Sequence, residues 1–217
     1  MQLIWYGHSC FMIKTDNGKR ILMDPFDVYL GYNSDFPKCD LITISHNHFD
    51  HSYINKINNE TKIITTCEKF DSNFLQLRGV DSFHDNYNGL KRGHNTIYIF
   101  KFENISLAHL GDLGHIPDIS ILRELTSLDF LLVPIGGNFT LDGVEATKLC
   151  KLLTPHYIIP MHYKTPLTKL HLDDCKKFII SISSVSSILK INSNSIDLSS
   201  FDLKNNSMKT LLLKPPY

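Results

Sequence analysis

The sequence predicts an α/β fold. Strand-like and helix-like stretches alternate along the chain. Several of the strands are short apolar runs of the fully buried kind, such as Leu41-Ile42-Thr43-Ile44, and turn-forming residues separate them. A chain of 217 residues can bury roughly 70% of the surface its unfolded form exposes, enough for one sizeable core. One domain spanning 1–217 is expected, since barrels and two-sheet sandwiches often reach this size undivided.

The elements read in order as follows. Leu3–Tyr6 and Cys10–Lys14 are strands broken by Gly7-His8-Ser9. Asp16-Asn17-Gly18-Lys19 is a hairpin turn, because Asn-Gly tolerates the positive φ that tight turns need. Arg20–Asp24 is the return strand, ended by Pro25, and Tyr29–Lys38 is a polar loop whose Tyr29, Tyr32 and Phe36 suit the rim of a pocket. Leu41–Ser45 and Lys62–Thr66 are strands, and Glu68–Leu77 reads as a helix. Thr96–Phe102 and Ile105–His109 form a hairpin across Glu103-Asn104, followed by a helix at Ile119–Ser127 and a strand at Phe130–Pro134. After the break at Gly136-Gly137 comes a helix over Leu141–Leu153, with Val144, Leu149, Leu152 and Leu153 on its apolar side. Tyr157–Pro160 is a strand and Leu172–Ser181 the last helix. The Ser/Asn-rich stretch from Ser181 to Asn206 carries enough Ile, Val and Leu to form tail strands, at Ile188–Ile191 and Ser195–Leu198, with Thr210–Leu213 after it.

The densest chemistry is Ser45-His46-Asn47-His48-Phe49-Asp50-His51. Neutral imidazole and carboxylate are donors that suit zinc and related divalent ions. On a helix His46 and His48 would sit about 200° apart and could not share an ion. On an extended chain His46, His48 and Asp50 face one way. His51 is out of that phase and joins only if the chain turns after His48. A buried strand running into a metal-gripping loop, with two ions, is the expectation. Further candidates stand at the ends of apolar strands, where loops build sites on a rigid frame: Asp24, His84, Asp112 and His162.

Composition narrows the function. Lys+Arg and Asp+Glu are 22 each, a formal charge of zero, which leaves no electrostatic footprint for nucleic acid or an anionic membrane. The cysteines, Cys10, Cys39, Cys67, Cys150 and Cys175, are scattered and include no C-x-x-C, so free thiols in a reducing cytosol are expected. No secretory signal is legible at the N-terminus, and no run approaches ~18 apolar residues. A cytoplasmic location follows as an expectation.

The motifs resemble those of the metallo-β-lactamase superfamily of metal-dependent hydrolases: His46-x-His48-x-Asp50-His51, then His84, Gly111-Asp112 and His162 in the family's order. The resemblance runs from Gly7-His8-Ser9 to Pro160-Met161-His162-Tyr163. It is closest to a small branch that includes ascorbate-phosphate lactonase-like enzymes, which shares Gly7-His8-Ser9, Asp24-Pro25, Arg92-Gly93-x-Asn95 and Pro160-x-His162. It implies a four-layer αββα sandwich, two mixed sheets face to face with helices outside and the metals at one sheet edge. It also implies that His46, His48 and His84 hold one ion, that Asp50, His51 and His162 hold another, and that Asp112 bridges them. Asp24 would orient a ligand histidine. His109, three residues before Asp112, is an alternative to His84.

The function so implied is hydrolysis of a small-molecule ester, lactone or phosphoester. Two divalent ions, zinc first with Mn2+ or Fe2+ as alternatives, would activate a bridging hydroxide. Asp50 would orient that nucleophile, and His8, His109 and Tyr163 are the candidate proton donors. Arg92-Gly93 reads as a turn before a strand, with Arg92 of the residue type that can also meet an anionic substrate group. Two other classes stand against this reading. One is a non-catalytic metal-binding or sensing protein. The other is a di-iron redox enzyme, whose relatives place a carboxylate where this chain has Asn47 and add a flavin domain.

Overall fold

The computed structural model describes residues 1–54, 60–204 and 207–216. Its first sheet holds β1 (Gln2–Gly7), β2 (Cys10–Lys14), β3 (Arg20–Met23), β4 (Leu41–Thr43), β5 (Lys62–Ile64) and β13 (Ser195–Asp197), in the order β13-β1-β2-β3-β4-β5. Pairing is antiparallel from β13 to β3 and parallel from β3 to β5. The second sheet holds β6 (Lys69–Asp71), β7 (Gln76–Phe83), β8 (His94–Lys101), β9 (Ser106–His109), β10 (Phe130–Pro134), β11 (Tyr157–Met161), β12 (Ser187–Ile191) and β14 (Lys209–Leu213), in the order β12-β14-β11-β10-β9-β8-β7-β6. It is antiparallel from β6 to β9 and parallel beyond.

The two-residue period of a strand explains the layers. Leu3, Trp5, Phe11, Ile13, Ile21 and Met23 point into the main core, between the sheets. Their neighbours Ile4, Tyr6, Cys10, Met12 and Leu22 point outward into a smaller cluster with Phe26, Leu30 and Tyr32. The first sheet is therefore buried on both faces, which accounts for its nearly unbroken apolar runs. Among the described residues three α-helices, α1 (Ile119–Glu124), α2 (Gly143–Leu153) and α3 (Lys176–Ile182), accompany the sheets. No helix among the described residues is long and apolar enough to cross a membrane.

Some expectations need correction. Glu68–Leu77 is not a helix. Phe70, Phe74 and Leu77 fall at helical spacing, but Leu75, Leu77 and Gly79 alternate in burial as a strand does. Ser72 N–H closes a turn on Leu75 O at 2.9 Å, and β6 pairs with β7. The last helix starts at Lys176 rather than Leu172, because Asp173 bonds instead to Lys164 and Gly136 at 2.8 Å each. In α2, Val144 and Leu152 are 37% and 58% exposed, and the buried face is Gly143, Ala146, Leu149, Cys150 and Leu153. A Cβ on Gly143 would lie 2.4 Å from Phe178 N, so α2 and α3 approach there backbone to backbone. The loop around Tyr32 and Phe36 packs over the outer face of the first sheet and lines a cavity of about 470 Å³ that contains none of the His/Asp cluster's side chains among its described lining. Tyr29 is 74% exposed. Asn206, the last residue of the Ser/Asn-rich stretch, lies outside the described residues.

Candidate metal centre

The motif loop leaves β4 extended and turns after His48, with His51 and Ser52 N–H bonded to His48 O at 2.9 and 3.0 Å. That turn swings His51 onto the same side as His46. His84 follows β7, Asp112 follows β9 and His162 follows β11, so the first sheet supplies one half of the cluster and the second sheet the other. Among the described residues, side-chain ligand atoms converge in three groups, each within 4.8 Å: His46, His48 and His84; His46, His51 and Asp112; and His8, Asp50, His51 and His162. Every ligand residue expected from the sequence is in this cluster, and His8 joins it.

Asp112 Oδ2 is the hub. It lies 3.1 Å from His84 Nε2, 3.2 Å from His51 Nε2, 3.2 Å from His162 Nε2 and 3.7 Å from His46 Nε2. In three of these histidines the other ring nitrogen is committed elsewhere. His51 Nδ1 faces Asp24 Oδ2 at 2.8 Å, and His84 Nδ1 faces Phe139 O at 2.9 Å. Ser45 Oγ donates to Asp24 Oδ2 at 2.6 Å, so it accepts from His46 Nδ1 at 2.9 Å. This network places the protons of His46, His51 and His84 on Nδ1 and leaves three Nε2 lone pairs aimed at a carboxylate. Acceptor facing acceptor in a buried site demands positive charge between them. In accord, the buried atoms with no hydrogen-bond partner include Nε2 of His46 and His51, Oδ1 of Asp112 and Nδ1 of His8 and His162. The donor set fits divalent ions.

Protonation answers the same demand. Burial opposes charge on His51, yet Asp112 and Asp50 together outweigh it and hold its pKa well above the usual imidazole range. Burial likewise resists ionisation of Asp112, and His162 and His51 overcome it, keeping the carboxyl well below its ordinary value. His46 is pushed down to about 2 by burial and the neighbouring His51. His8 falls to about 4 through burial and His162, against the pull of Asp50.

Asp24 accepts from Ser45 N–H at 2.8 Å as well as from Ser45 Oγ and His51. It stands where an orienting acceptor was expected. Ser45 and Asn95 were not anticipated in their roles. Asn95 Oδ1 accepts Asp112 N–H at 2.9 Å while its amide donates to Ser82 Oγ and Leu110 O. Its partners are distant in sequence, so only the motif Arg92-Gly93-x-Asn95 hinted at it. A Cβ on Gly111 (φ 55°) would lie 2.3 Å from Asn95 Oδ1 and 2.6 Å from Ser45 Cβ, so glycine is required between them. Non-glycine residues His8, Asp24 and His162 also hold positive φ, at 51°, 47° and 51°. Such backbone is costly and clusters at functional sites.

Of the proposed proton donors, His8 Nε2 contacts Asp50 Oδ2 at 3.1 Å. His109 does not fit the donor role or the alternative ligand role. Its Nε2 bonds to Ser9 O at 2.7 Å and its Nδ1 accepts Gly111 N–H at 3.2 Å, so both ring nitrogens serve the backbone. Tyr163 is 4% exposed and packs on Trp5. Burial, then Cys175 and Tyr32, push its phenol far above the usual range, which does not fit a proton donor either.

Residues 2–162 match the β-lactamase superfamily domain. The chain belongs to the metallo-β-lactamase superfamily. It stands among that superfamily's metal-dependent hydrolases. One from Pyrococcus furiosus is 30% identical over 194 residues, 76% of this chain and 85% of that one. Another from Sulfolobus acidocaldarius is 31% identical over 207 residues, 81% and 90% of the two chains. A crystal structure from Thermotoga maritima, assigned to the Zn-dependent hydrolases of the metallo-β-lactamase superfamily, superposes with a TM-score of 0.74 at 31% identity and covers 98% of this chain and 99% of that one.

Proposed function

We propose that this metallo-β-lactamase superfamily chain is a dinuclear hydrolase of a small-molecule ester, lactone or phosphoester. The observation that carries this reading is the set of buried histidine lone pairs converging on Asp112. His46, His48 and His84 would hold one ion, and Asp50, His51 and His162 the other, with Asp112 shared. When bound, two divalent cations activate a water near neutral pH and polarise the substrate oxygen. Zinc is the first expectation, because the donor set is rich in nitrogen and the Thermotoga maritima relative is described as Zn-dependent; Mn2+ and Fe2+ are the alternatives.

The chain's own residues set up that chemistry. Asp24 and Ser45 hold His46 and His51 in the ligating tautomer. Asn95 fixes the backbone of Asp112. Burial keeps His8 neutral at pH 7, so its Nε2–H donates to Asp50 Oδ2 and orients that carboxylate, which His51 first and this bond second hold ionised against burial. Balanced charge supports a small-molecule substrate over nucleic acid. The free cysteines support a reducing, cytoplasmic setting.

The test is metal content per chain, by mass spectrometry on protein purified without added metal or chelator, followed by a screen of esters, lactones and phosphodiesters. Two equivalents and turnover in the screen are expected. Asp50→Ala should lose one equivalent and at least ~10²-fold activity; normal turnover by that variant would sink the two-metal reading.

A further inference from the structure

Beside the cluster lies a short loop with an unusual cation. Residues 85–93 are closed at the root by His84 N–H bonding to Gly93 O at 3.1 Å. Inside it the Asp85 carboxylate accepts four backbone N–H groups, from Tyr87, Gly89, Lys91 and Arg92, at 2.7–3.0 Å. Asp85 is thereby committed to shaping the loop and forms no ion pair with Arg92. The Arg92 guanidinium instead lies over the Phe139 ring, 3.2 Å from its centroid. Phe139 is the residue whose carbonyl accepts from His84 Nδ1. No carboxylate contacts Arg92 among the described residues. A planar, permanently charged fork is thus held in place on an aromatic face, its donors unspent, one residue removed from a candidate ligand.

The surroundings are apolar and exposed. In and beside the loop, Phe139 is 42% exposed, Leu90 88% and Tyr87 50%, the Tyr87 ring faced by Lys91 Nζ at 3.6 Å, and in the ligand motif itself Phe49, between His48 and Asp50, is 56% exposed. Large apolar side chains flanking a polar centre mark a surface that meets apolar ligand. We infer that Arg92, positioned by Phe139, is a specificity-determining residue for an amphiphilic anion, an ester or lactone whose apolar body carries one carboxylate or phosphate. This rests on the hydrolase reading for turnover but not for binding. Carboxylate and phosphate share the chemistry that matters here, an oxyanion paired with guanidinium.

Two readouts test it on the metal-loaded protein. Calorimetry with hexylphosphonate, which cannot be hydrolysed, should show binding weakened about 10- to 100-fold in Arg92→Gln, as expected for loss of a charge-assisted pair, and partly restored in Arg92→Lys. Equal binding by wild type and Arg92→Gln would overturn the inference, whatever the turnover. Turnover of mono-(4-nitrophenyl) adipate against 4-nitrophenyl hexanoate, matched in length, should show the adipate favoured by wild type through KM, and that preference lost in Arg92→Gln. A wild type indifferent to the carboxylate would overturn the inference too. Failure to turn over either ester, with the binding difference intact, would count against ester hydrolysis alone and leave Arg92 as the anion's partner.

Discussion

Asp24→Asn separates the role of the orienting carboxylate from its bulk. The substitution preserves volume, and its carbonyl oxygen can still accept Ser45 N–H, now 2.8 Å from Oδ1. Its amide nitrogen, however, takes the place of Oδ2, which accepts from Ser45 Oγ at 2.6 Å and from His51 Nδ1 at 2.8 Å. A donor there requires His51 Nδ1 to accept, which moves the ring proton to Nε2. Ser45 Oγ must turn its hydrogen away, towards His46 Nδ1 at 2.9 Å, and the same switch follows on His46. Both Nε2 atoms become N–H donors towards Asp112 and cease to be ligands. Loss of one such orienting partner typically weakens metal binding 10- to 100-fold, about 1.4–2.8 kcal/mol. With two histidines affected, a loss at the upper end of that range is expected. The metal-free protein should lose stability as well, by about 1–3 kcal/mol, because the His51 held protonated there turns its Nδ1–H on the new amide donor and loses a partnering carboxylate. Asp24→Ala, which orphans three buried donors, should cost roughly 3–5 kcal/mol even without metal. Competition against a fluorescent chelator measures the affinity, and urea unfolding in EDTA measures the stability. A Kd for Asp24→Asn within threefold of wild type would refute the tautomer argument.

Gly111→Ala should destabilise by roughly 2 kcal/mol or more and weaken metal binding, because its Cβ meets Asn95 Oδ1 and Ser45 at once; thermal unfolding with and without EDTA checks both effects. Asp142→Ala removes the cap on α2, where Asp142 Oδ1 accepts Val144 and Glu145 N–H at 2.8 and 2.9 Å, and should cost about 1 kcal/mol at pH 7. Burial opposes the ionised Asp142, but Lys177 and those N–H groups outweigh it and depress its pKa. Its contribution is therefore complete above the unfolded value of 3.8 and lost as pH falls through the folded one. The gap between wild type and variant should narrow as pH falls below about 4 in urea titrations. Metal affinity of the cluster should already fall as pH is lowered through the range above 6.5, because Asp112 and Asp50 hold His51 protonated well above the usual imidazole value and metal must displace that proton; pH-dependent chelator competition tests this.

The sequence exposed the cluster because four of its members are nearly consecutive, and strand periodicity with one turn is enough to converge them. Asp24 was legible as a residue closing an apolar strand. Ser45 and Asn95 were not legible in role, because their partners are set by the register between elements far apart in the chain. Glu68–Leu77 misled because Phe70, Phe74 and Leu77 mimic a helical stripe, while the alternation that marks the strand begins only at Leu75 and becomes clear at Gly79. His109 misled for a similar reason. Its position before Asp112 suits a site residue, and only the backbone contacts of both ring nitrogens exclude it.

The cluster draws His46–His51 from the loop after β4 in one sheet and His84, Asp112 and His162 from strand ends in the other. In the dinuclear reading proposed above, ions held by both halves would act as a crosslink whose strength is set by mass action. Unfolding releases them, so each site adds stability that grows with the logarithm of free metal, about 2.7 kcal/mol when metal stands at a hundred times Kd. The melting temperature of this protein would then be a readout of free metal concentration. Starvation for the native ion would loosen the seam between the sheets as well as silence the chemistry, exposing the chain to proteolysis when it has no work to do.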